Sequence, residues 1–339
     1  MLTQVLKKVV EGENLTRQEA KEAMDQIMGG EATPAQIGSL LTALKMKGET
    51  VEEILGFAQS MREHAVKIEA DEKAIDTAGT GGDGAKTFNV STAAAIVAAA
   101  GGAKVVKHGN RALSSRSGSA DVLEELGIPI GLGPEEAKEM LEETNLCFLF
   151  APVYHQAMKH AAGPRKEIGF RTLMNLLGPL TNPAGVKRQI IGVFDPSYAR
   201  RLARVLRELG SEHVLILSSH DGLDEISVSA LTRVVELKGG ELYEFEISPE
   251  ELGLTLYPAG SYSTGSAKEN AETMIEIFRG KENADGEIVL ANAGAALYVA
   301  GLASSIREGV ERSREIIQSG LAMEQLRRLQ NAGKKRLFA

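Results

Sequence analysis

The chain has 339 residues, with 38 Lys and Arg against 46 Asp and Glu for a formal net charge of -8, 36 Gly, one Cys and no Trp. That length allows two domains with ample core. The single cysteine excludes a disulfide-stapled secreted scaffold, and the negative balance argues against general affinity for nucleic acid. Cys147 lies in the apolar run LCFLF, where it reads as a small core residue in a protein of the reducing cytoplasm. The first residues lack an apolar signal core, and the most apolar run, 93–100, falls short of the roughly 20 residues of a membrane span, so no membrane partner is expected.

The first 65 or so residues read as three short helices. Thr16-Arg17-Gln18-Glu19 and Thr50-Val51-Glu52-Glu53 have capping-box spacing, and Thr33-Pro34 places a capping hydroxyl before a proline. Ile37, Leu40, Leu41 and Leu44 make one apolar stripe, too thin a core alone, so it is expected to pack on something else. From about Lys73 short apolar runs alternate with helical patterns. Lys73–Thr77, Ala103–Lys107, Cys147–Ala151, Arg188–Phe194, His213–Ser218 and Gly286–Leu290 read as strands. Ser91–Ala100, Ala120–Leu126, Pro134–Glu143, Tyr198–Leu209 and Ala267–Arg279 read as helices. The alternation signals an α/β fold. Leu231–Leu237 and Leu242–Ile247, joined at Lys238-Gly239-Gly240, read as an antiparallel hairpin, which makes the sheet mixed. Gly163–Asn182 reads as helical, with Leu173, Leu176, Leu177 and Leu180 on a face that folds back on the N-terminal helices.

The densest motif is Asp76-Thr77-Ala78-Gly79-Thr80-Gly81-Gly82-Asp83-Gly84, between a strand and a helix. It satisfies G-x-G-x-x-G, but a dinucleotide site needs an acid about 20 residues on, and 95–112 contains none. A P-loop fails as well, because one residue too many separates Gly84 from Lys86-Thr87. What remains is the physics both share: glycines let backbone N–H groups approach an anion, and the helix beginning near Asn89 aims its positive end at the same space. Asn89, Ser91 and Thr92 equally suit an ordinary capped βα turn.

The next strand runs into Lys107-His108-Gly109-Asn110-Arg111-Ala112-Leu113-Ser114-Ser115-Arg116-Ser117-Gly118-Ser119, with three cations and no acid. A solvated loop is the plain reading of such a run. Two phosphate-friendly loops at the carboxyl edge of one sheet imply instead a substrate with more than one phosphate. Asp224-Glu225 follows a third strand and reads as a turn when taken alone. Beside a bound polyphosphate it reads as a Mg²⁺ site, with substrate oxygens completing the shell. Around Gly163-Pro164, residues 159–171 sum to +3, and one arginine turned inward would fit a carboxylate.

Taken together, these motifs resemble the anthranilate phosphoribosyltransferase family of tryptophan biosynthesis, related to nucleoside phosphorylases, over nearly the whole chain. The resemblance implies a small all-helical N-terminal domain, residues 1–70 joined by about 165–185. It also implies a larger α/β domain, 71–339, with a mixed, mainly parallel central sheet flanked by helices. The implied activity is Mg²⁺-dependent transfer of phosphoribosyl from phosphoribosyl pyrophosphate to the amino group of anthranilate, by a cytoplasmic homodimer joined through the helical domain. Donor contacts are implied for Gly79, Gly82, Asp83, Thr87, Asn89, Val90, Ser91, Thr92, Lys107, His108, Gly109, Asn110, Arg111, Ala112, Leu113, Ser114, Ser115 and Ser119. Metal ligation is implied for Ser91, Asp224 and Glu225, and anthranilate contacts for Gly79, His108, Asn110, Arg165 and Pro179. Lys107, Asp224 and Glu225 would assist electrostatically, with no nucleophile. Arg116 stands where relatives often carry lysine, which keeps the charge. A pyrimidine nucleoside phosphorylase shares the fold but needs no acidic metal pair. A non-catalytic nucleic-acid binder sits badly with the charge balance.

Overall fold

The computed structural model describes residues 2–81, 87–112 and 116–337. Four helices come first: α1 (Leu2–Val10), α2 (Arg17–Met28), α3 (Pro34–Lys47) and α4 (Val51–His64). The hydroxyls of Thr16, Thr33 and Thr50 accept from the N–H of Glu19, Gln36 and Glu53, whose side chains return to the cap backbone. Each such cap contributes about 1 kcal/mol. The expected three helices become four because α1 has no start signal, although its buried Leu2, Val5 and Val9 keep helical spacing.

The rest alternates as β1 (Ile75–Gly79), α5 (Val90–Ala100), β2 (Val105–Gly109), α6 (Ser119–Glu125), α7 (Pro134–Thr144) and β3 (Leu146–Phe150). Then come α8 (Ala151–Tyr154), α9 (Lys159–Ile168), α10 (Leu173–Leu180), β4 (Arg188–Gly192), α11 (Ala199–Glu208) and β5 (His213–Ser219). The chain closes with β6 (Thr232–Lys238), β7 (Glu241–Ile247), α12 (Ala267–Phe278), α13 (Ala284–Val299), α14 (Ile306–Gln318) and α15 (Leu321–Leu337). Gly239 and Gly240, at φ 60° and 86°, make the β6–β7 turn, as their primed-turn geometry requires. Two expectations are corrected. The segment 163–182 is two helices broken at Gly169, which has φ 69°. Gly286–Leu290 is helix, not strand: Asn283 caps α13 at Gly286, and α13 is buried almost all round. A helix without a polar face loses the period that separates it from a buried strand.

The sheet order is β3-β2-β1-β4-β5-β6-β7. β1 to β5 are parallel, and β6 and β7 are antiparallel. Alternate residues serve two cores. Ile190, Leu215 and Leu217 face a core shared with α5, α13 and α15, while Ile191, Val214 and Ile216 face one shared with α11 and the N-terminal helices. Leu173, Leu176, Leu177 and Leu180 of α10 enter that second core beside Leu40, Leu41 and Leu44, so the stripe on the first helices is covered as expected. Strand order reverses between β1 and β4, which opens a crevice at their carboxyl ends where such sheets bind ligands. Three connections join the helical lobe to the sheet, near residues 65–74, 151–158 and 181–187. The first and third touch where the Ile68 N–H donates to the Pro183 carbonyl at 3.5 Å. Among the described residues no helix is long and apolar enough to cross a membrane.

Candidate functional site

Gly79 and Gly192 end β1 and β4 in register and form the floor of the crevice. A Cβ on Gly192 would run into the backbone carbonyl of Asp224, and one on Gly79 would meet the Asp224 carboxylate at 2.5 Å. Only glycine lets the acidic loop lie this close. That loop is pinned on both sides of the acid pair. The Leu223 N–H donates to Ser219 Oγ at 3.0 Å, and the Ile226 N–H donates to Asn292 Oδ1 at 3.0 Å. Leu223 and Ile226 are buried, while Asp224 and Glu225 stay partly exposed. Ser91, Thr77, Glu225 and Asn292 line a cavity of about 10 Å³, the size of one small ion or water.

The glycine-loop helix α5 starts without a side-chain cap, contrary to the plain reading of Asn89 as a capping residue. Asn89 instead bridges outward: its Oδ1 accepts from Ser117 Oγ at 3.1 Å and from Asn270 Nδ2 at 2.9 Å, and its Nδ2 donates to the Ser117 carbonyl at 3.2 Å. It thereby ties the two phosphate-friendly loops together. Thr92 Oγ1 is buried with no partner, and Val90 is buried beside it. Thr87, half-buried, precedes the helix.

The three cations of the second loop separate in the structure. Lys107 is buried, and its Nζ donates to the Thr77 carbonyl, to Thr77 Oγ1 at 3.3 Å and to Ser91 Oγ at 3.3 Å. The side chain is thereby held rigidly behind Ser91. Burial pushes its pKa down, against the pull of Asp76, Glu225 and Asp224. Arg111 is drawn to α6, where its Nη1 lies 3.0 Å from Asp121 and it also pairs with Glu124. Arg116 stays exposed. Asp121 gathers the N–H groups of Ala112 at 3.0 Å and Gly118 at 2.9 Å, which pinches the loop. Ser119 Oγ and the Asn110 carbonyl close its base at 3.4 Å, and the Asn110 side chain accepts from the Arg111 N–H. Gly109 ends β2, where a Cβ would meet the Phe148 ring at 2.8 Å. Gly82, Asp83, Leu113, Ser114 and Ser115 lie outside the described residues.

A second group of side chains gathers on the helical-lobe side. His108 is hydrogen-bonded to the Gly178 backbone and stacks obliquely on His155, ring centroids 5.1 Å apart. His155 Nε2 meets the Thr181 carbonyl at 2.9 Å. His108 Nε2 and His155 Nδ1 are left buried with no partner. Burial holds both rings neutral, His108 pushed down to about 3. Pro179, buried in α10, directs its carbonyl to Gln189 at 2.8 Å. Of the inward-turned candidates near Gly163-Pro164, Arg171 lies over the Phe194 ring at 4.3 Å. Arg165 is half-buried, burial lowers its pKa, and no carboxylate among the described residues pairs with it. Behind this group Asp76, fully buried, accepts from the His108 N–H at 3.2 Å and from Asn182 Nδ2 at 2.8 Å. Burial pushes its pKa up to about 6.

Gly192, Asn292, Asn182 and the buried role of Asp76 carry no local motif, and His155 stands out in the sequence only as one of the basic residues before Gly163-Pro164. Among the others, Asn292 alone gave a signal, a polar residue inside an otherwise apolar helical run. The oxygen donors here are hard: the Ser91 hydroxyl and the Glu225 carboxylate line the small cavity, and the adjacent Asp224 carboxylate lies over Gly79. That set fits Mg²⁺, which keeps open positions for substrate phosphate oxygens. Among the described residues no three His, Cys, Asp or Glu side chains converge on one point, so hydroxyl and substrate oxygens would complete the shell.

Comparison with known proteins agrees with this geometry. Residues 3–65 match a glycosyl transferase family, helical bundle domain, and residues 71–323 match a glycosyl transferase family, a/b domain. A curated relative from Geobacillus kaustophilus, named anthranilate phosphoribosyltransferase, is 56% identical over 97% of both chains. The crystal structure of anthranilate phosphoribosyltransferase from Thermus thermophilus superposes with a TM-score of 0.91 at 42% identity, covering 97% of this chain and 99% of that one. The enzyme from Saccharomyces cerevisiae, solved in complex with PRPP and Mg, superposes with a TM-score of 0.90 at 28% identity over 98% of both chains. With its helical lobe, its mixed sheet and a crevice floored by two glycines, the chain belongs to the anthranilate phosphoribosyltransferase family.

Proposed function

We propose that the crevice transfers the phosphoribosyl group of phosphoribosyl pyrophosphate to the amino group of anthranilate, giving N-(5-phosphoribosyl)anthranilate and pyrophosphate. The observation that carries this reading is the meeting of two unlike surfaces. Backbone-rich loops and an acidic pair lie at the carboxyl edge of the sheet, and neutral histidines with an unpaired arginine lie on the helical-lobe side.

In this reading the donor lies over Gly79 and along the loops of Gly82, Asp83, Thr87, Asn89, Ser91, Thr92, Asn110 to Ser115 and Ser119. Ser91, Asp224 and Glu225 hold Mg²⁺, which when bound neutralises charge on the pyrophosphate. The amine nitrogen forms a bond to ribose C1 as the C1–O bond to pyrophosphate breaks with its electron pair, and the amine then sheds a proton. Lys107, fixed behind Ser91, adds positive potential toward the leaving group without reorganising. Arg165 forks the anthranilate carboxylate, while His108 and Pro179 flank its ring. A neutral aromatic amine needs no strong base, so the protein's main contribution is positioning. Arg165→Ala then raises the anthranilate KM roughly 10- to 150-fold, the loss of one charged hydrogen-bonded contact.

In this reading residues 1–70 with 165–185 form one lobe and residues 71–339 the other, with the substrates bound between them. A homodimer through the helical lobe would cover Met46 and Val10, 84% and 72% exposed on that lobe. The test offers the protein phosphoribosyl pyrophosphate and Mg²⁺ with anthranilate, nicotinate, orotate or uracil in turn, and measures pyrophosphate release. Release with anthranilate alone is expected, and selective release with any other acceptor overturns the reading.

A further inference from the structure

A cavity of about 690 Å³ lies outside the crevice, where two of the three connections between the lobes pass. Buried Ile68, Asn182 and Pro183 line it, and Pro134 and Ala184 add to its apolar wall. Its exposed charges balance: Lys67 and Lys138 stand against Glu69 and Glu135, with Lys138 and Glu69 paired at 3.0 Å.

Arg62, entering from the end of α4, is not balanced. Its Nε donates to the Leu180 carbonyl at 2.7 Å, and no carboxylate among the described residues pairs with it. Burial alone pushes its pKa down to about 10. A guanidinium carries five N–H donors, so four remain for an occupant. An unpaired, half-buried guanidinium in a cavity wall is a ready partner for an anion.

We propose that this hinge cavity is a second small-molecule site, for an organic carboxylate with a compact apolar body. The volume falls within the roughly 300–1,000 Å³ of small-ligand sites. The planar fork of Arg62 matches a carboxylate, and the Ile68, Pro134, Pro183 and Ala184 surface matches the apolar body. Inorganic phosphate would satisfy the fork and leave that surface wet. The site is separate from the acceptor pocket, since Arg165, His108 and Pro179 do not line it. Asn182 belongs to both regions: it walls the cavity and also donates to Asp76, which holds the His108 backbone. An occupant therefore touches a residue that ties the hinge to the strands bearing the active groups.

The probe is cyclohexanecarboxylate, titrated calorimetrically into the full-length protein without substrates. Binding is expected in the wild type and in Arg165→Ala, and at least tenfold weaker both in Arg62→Gln and in Ala184→Phe, which crowds the apolar wall and keeps every charge. Four results overturn the proposal: no binding to the wild type, loss in Arg165→Ala, equal affinity in Arg62→Gln, or equal affinity for inorganic phosphate. Should Arg62→Gln fail to fold, undiminished binding in Ala184→Phe overturns it alone.

Discussion

The two sides of the crevice are built by different means. At the carboxyl edge of the sheet, approach is set by what is missing, the side chains of Gly79 and Gly192, and by loops that short polar residues pin together. On the helical-lobe side, the wall is built of bulky side chains from distant parts of the chain: His108 on β2, His155 after α8, Arg165 on α9 and Pro179 on α10. The first design suits a polyphosphate, which needs many donors and a metal and little shape. The second suits a flat aromatic acid, which needs a fork and two walls. A change on one side should therefore speak mainly to one substrate.

The largest effect is expected for the joint change Asp224→Asn with Glu225→Gln, which removes the acidic pair and leaves its shape. Turnover should fall roughly 10³-fold, as several kcal/mol of charge stabilisation in the transition state are lost. Measuring pyrophosphate release against Mg²⁺ concentration checks this, and full activity would reduce the pair to a turn. Gly192→Ala comes next. Its methyl group would displace the Asp224 carbonyl, so kcat should drop about tenfold or more while circular dichroism stays native.

The histidines give a pH test of the other side. His108 is pushed down to about 3 from an ordinary value of 6.5, and His155 is lowered too. Their contribution to stability is intact above pH 6.5 and is lost as pH falls below it, in the case of His108 down to about 3, because the unfolded chain takes up the protons first. The slope is about 1.4 kcal/mol per pH unit for each proton. Urea unfolding at pH 7 and pH 5 should show a smaller loss in His108→Gln than in the wild type; an equal loss would contradict the assignment. The smallest effect belongs far from the site: Thr16→Ala removes the hydroxyl cap of α2 and should cost about 1 kcal/mol with kinetics unchanged.

The same contrast explains what the sequence disclosed. The carboxyl-edge side was legible because closely spaced glycines and an acid-free basic loop carry their meaning in a few consecutive residues. The helical-lobe side was legible chiefly through resemblance. His155 and Asn182 meet His108 and Asp76 only after the chain has folded back, and no local spacing encodes that. Gly192 was missed because one glycine at a strand end looks ordinary until its neighbour in the sheet is known. For the fold, caps and alternation placed most elements to within a few residues, while α13 was misread because complete burial erases its period.

The most direct measurement determines both KM values in Arg165→Ala and in Gly192→Ala. Two separate sides predict that Arg165→Ala raises the anthranilate KM roughly 10- to 150-fold and leaves the phosphoribosyl pyrophosphate KM within about twofold. Gly192→Ala should do the reverse. If both variants raise the same KM, or if Arg165→Ala leaves the anthranilate KM unchanged, the division of the crevice into a backbone-built donor side and a side-chain-built acceptor side is wrong.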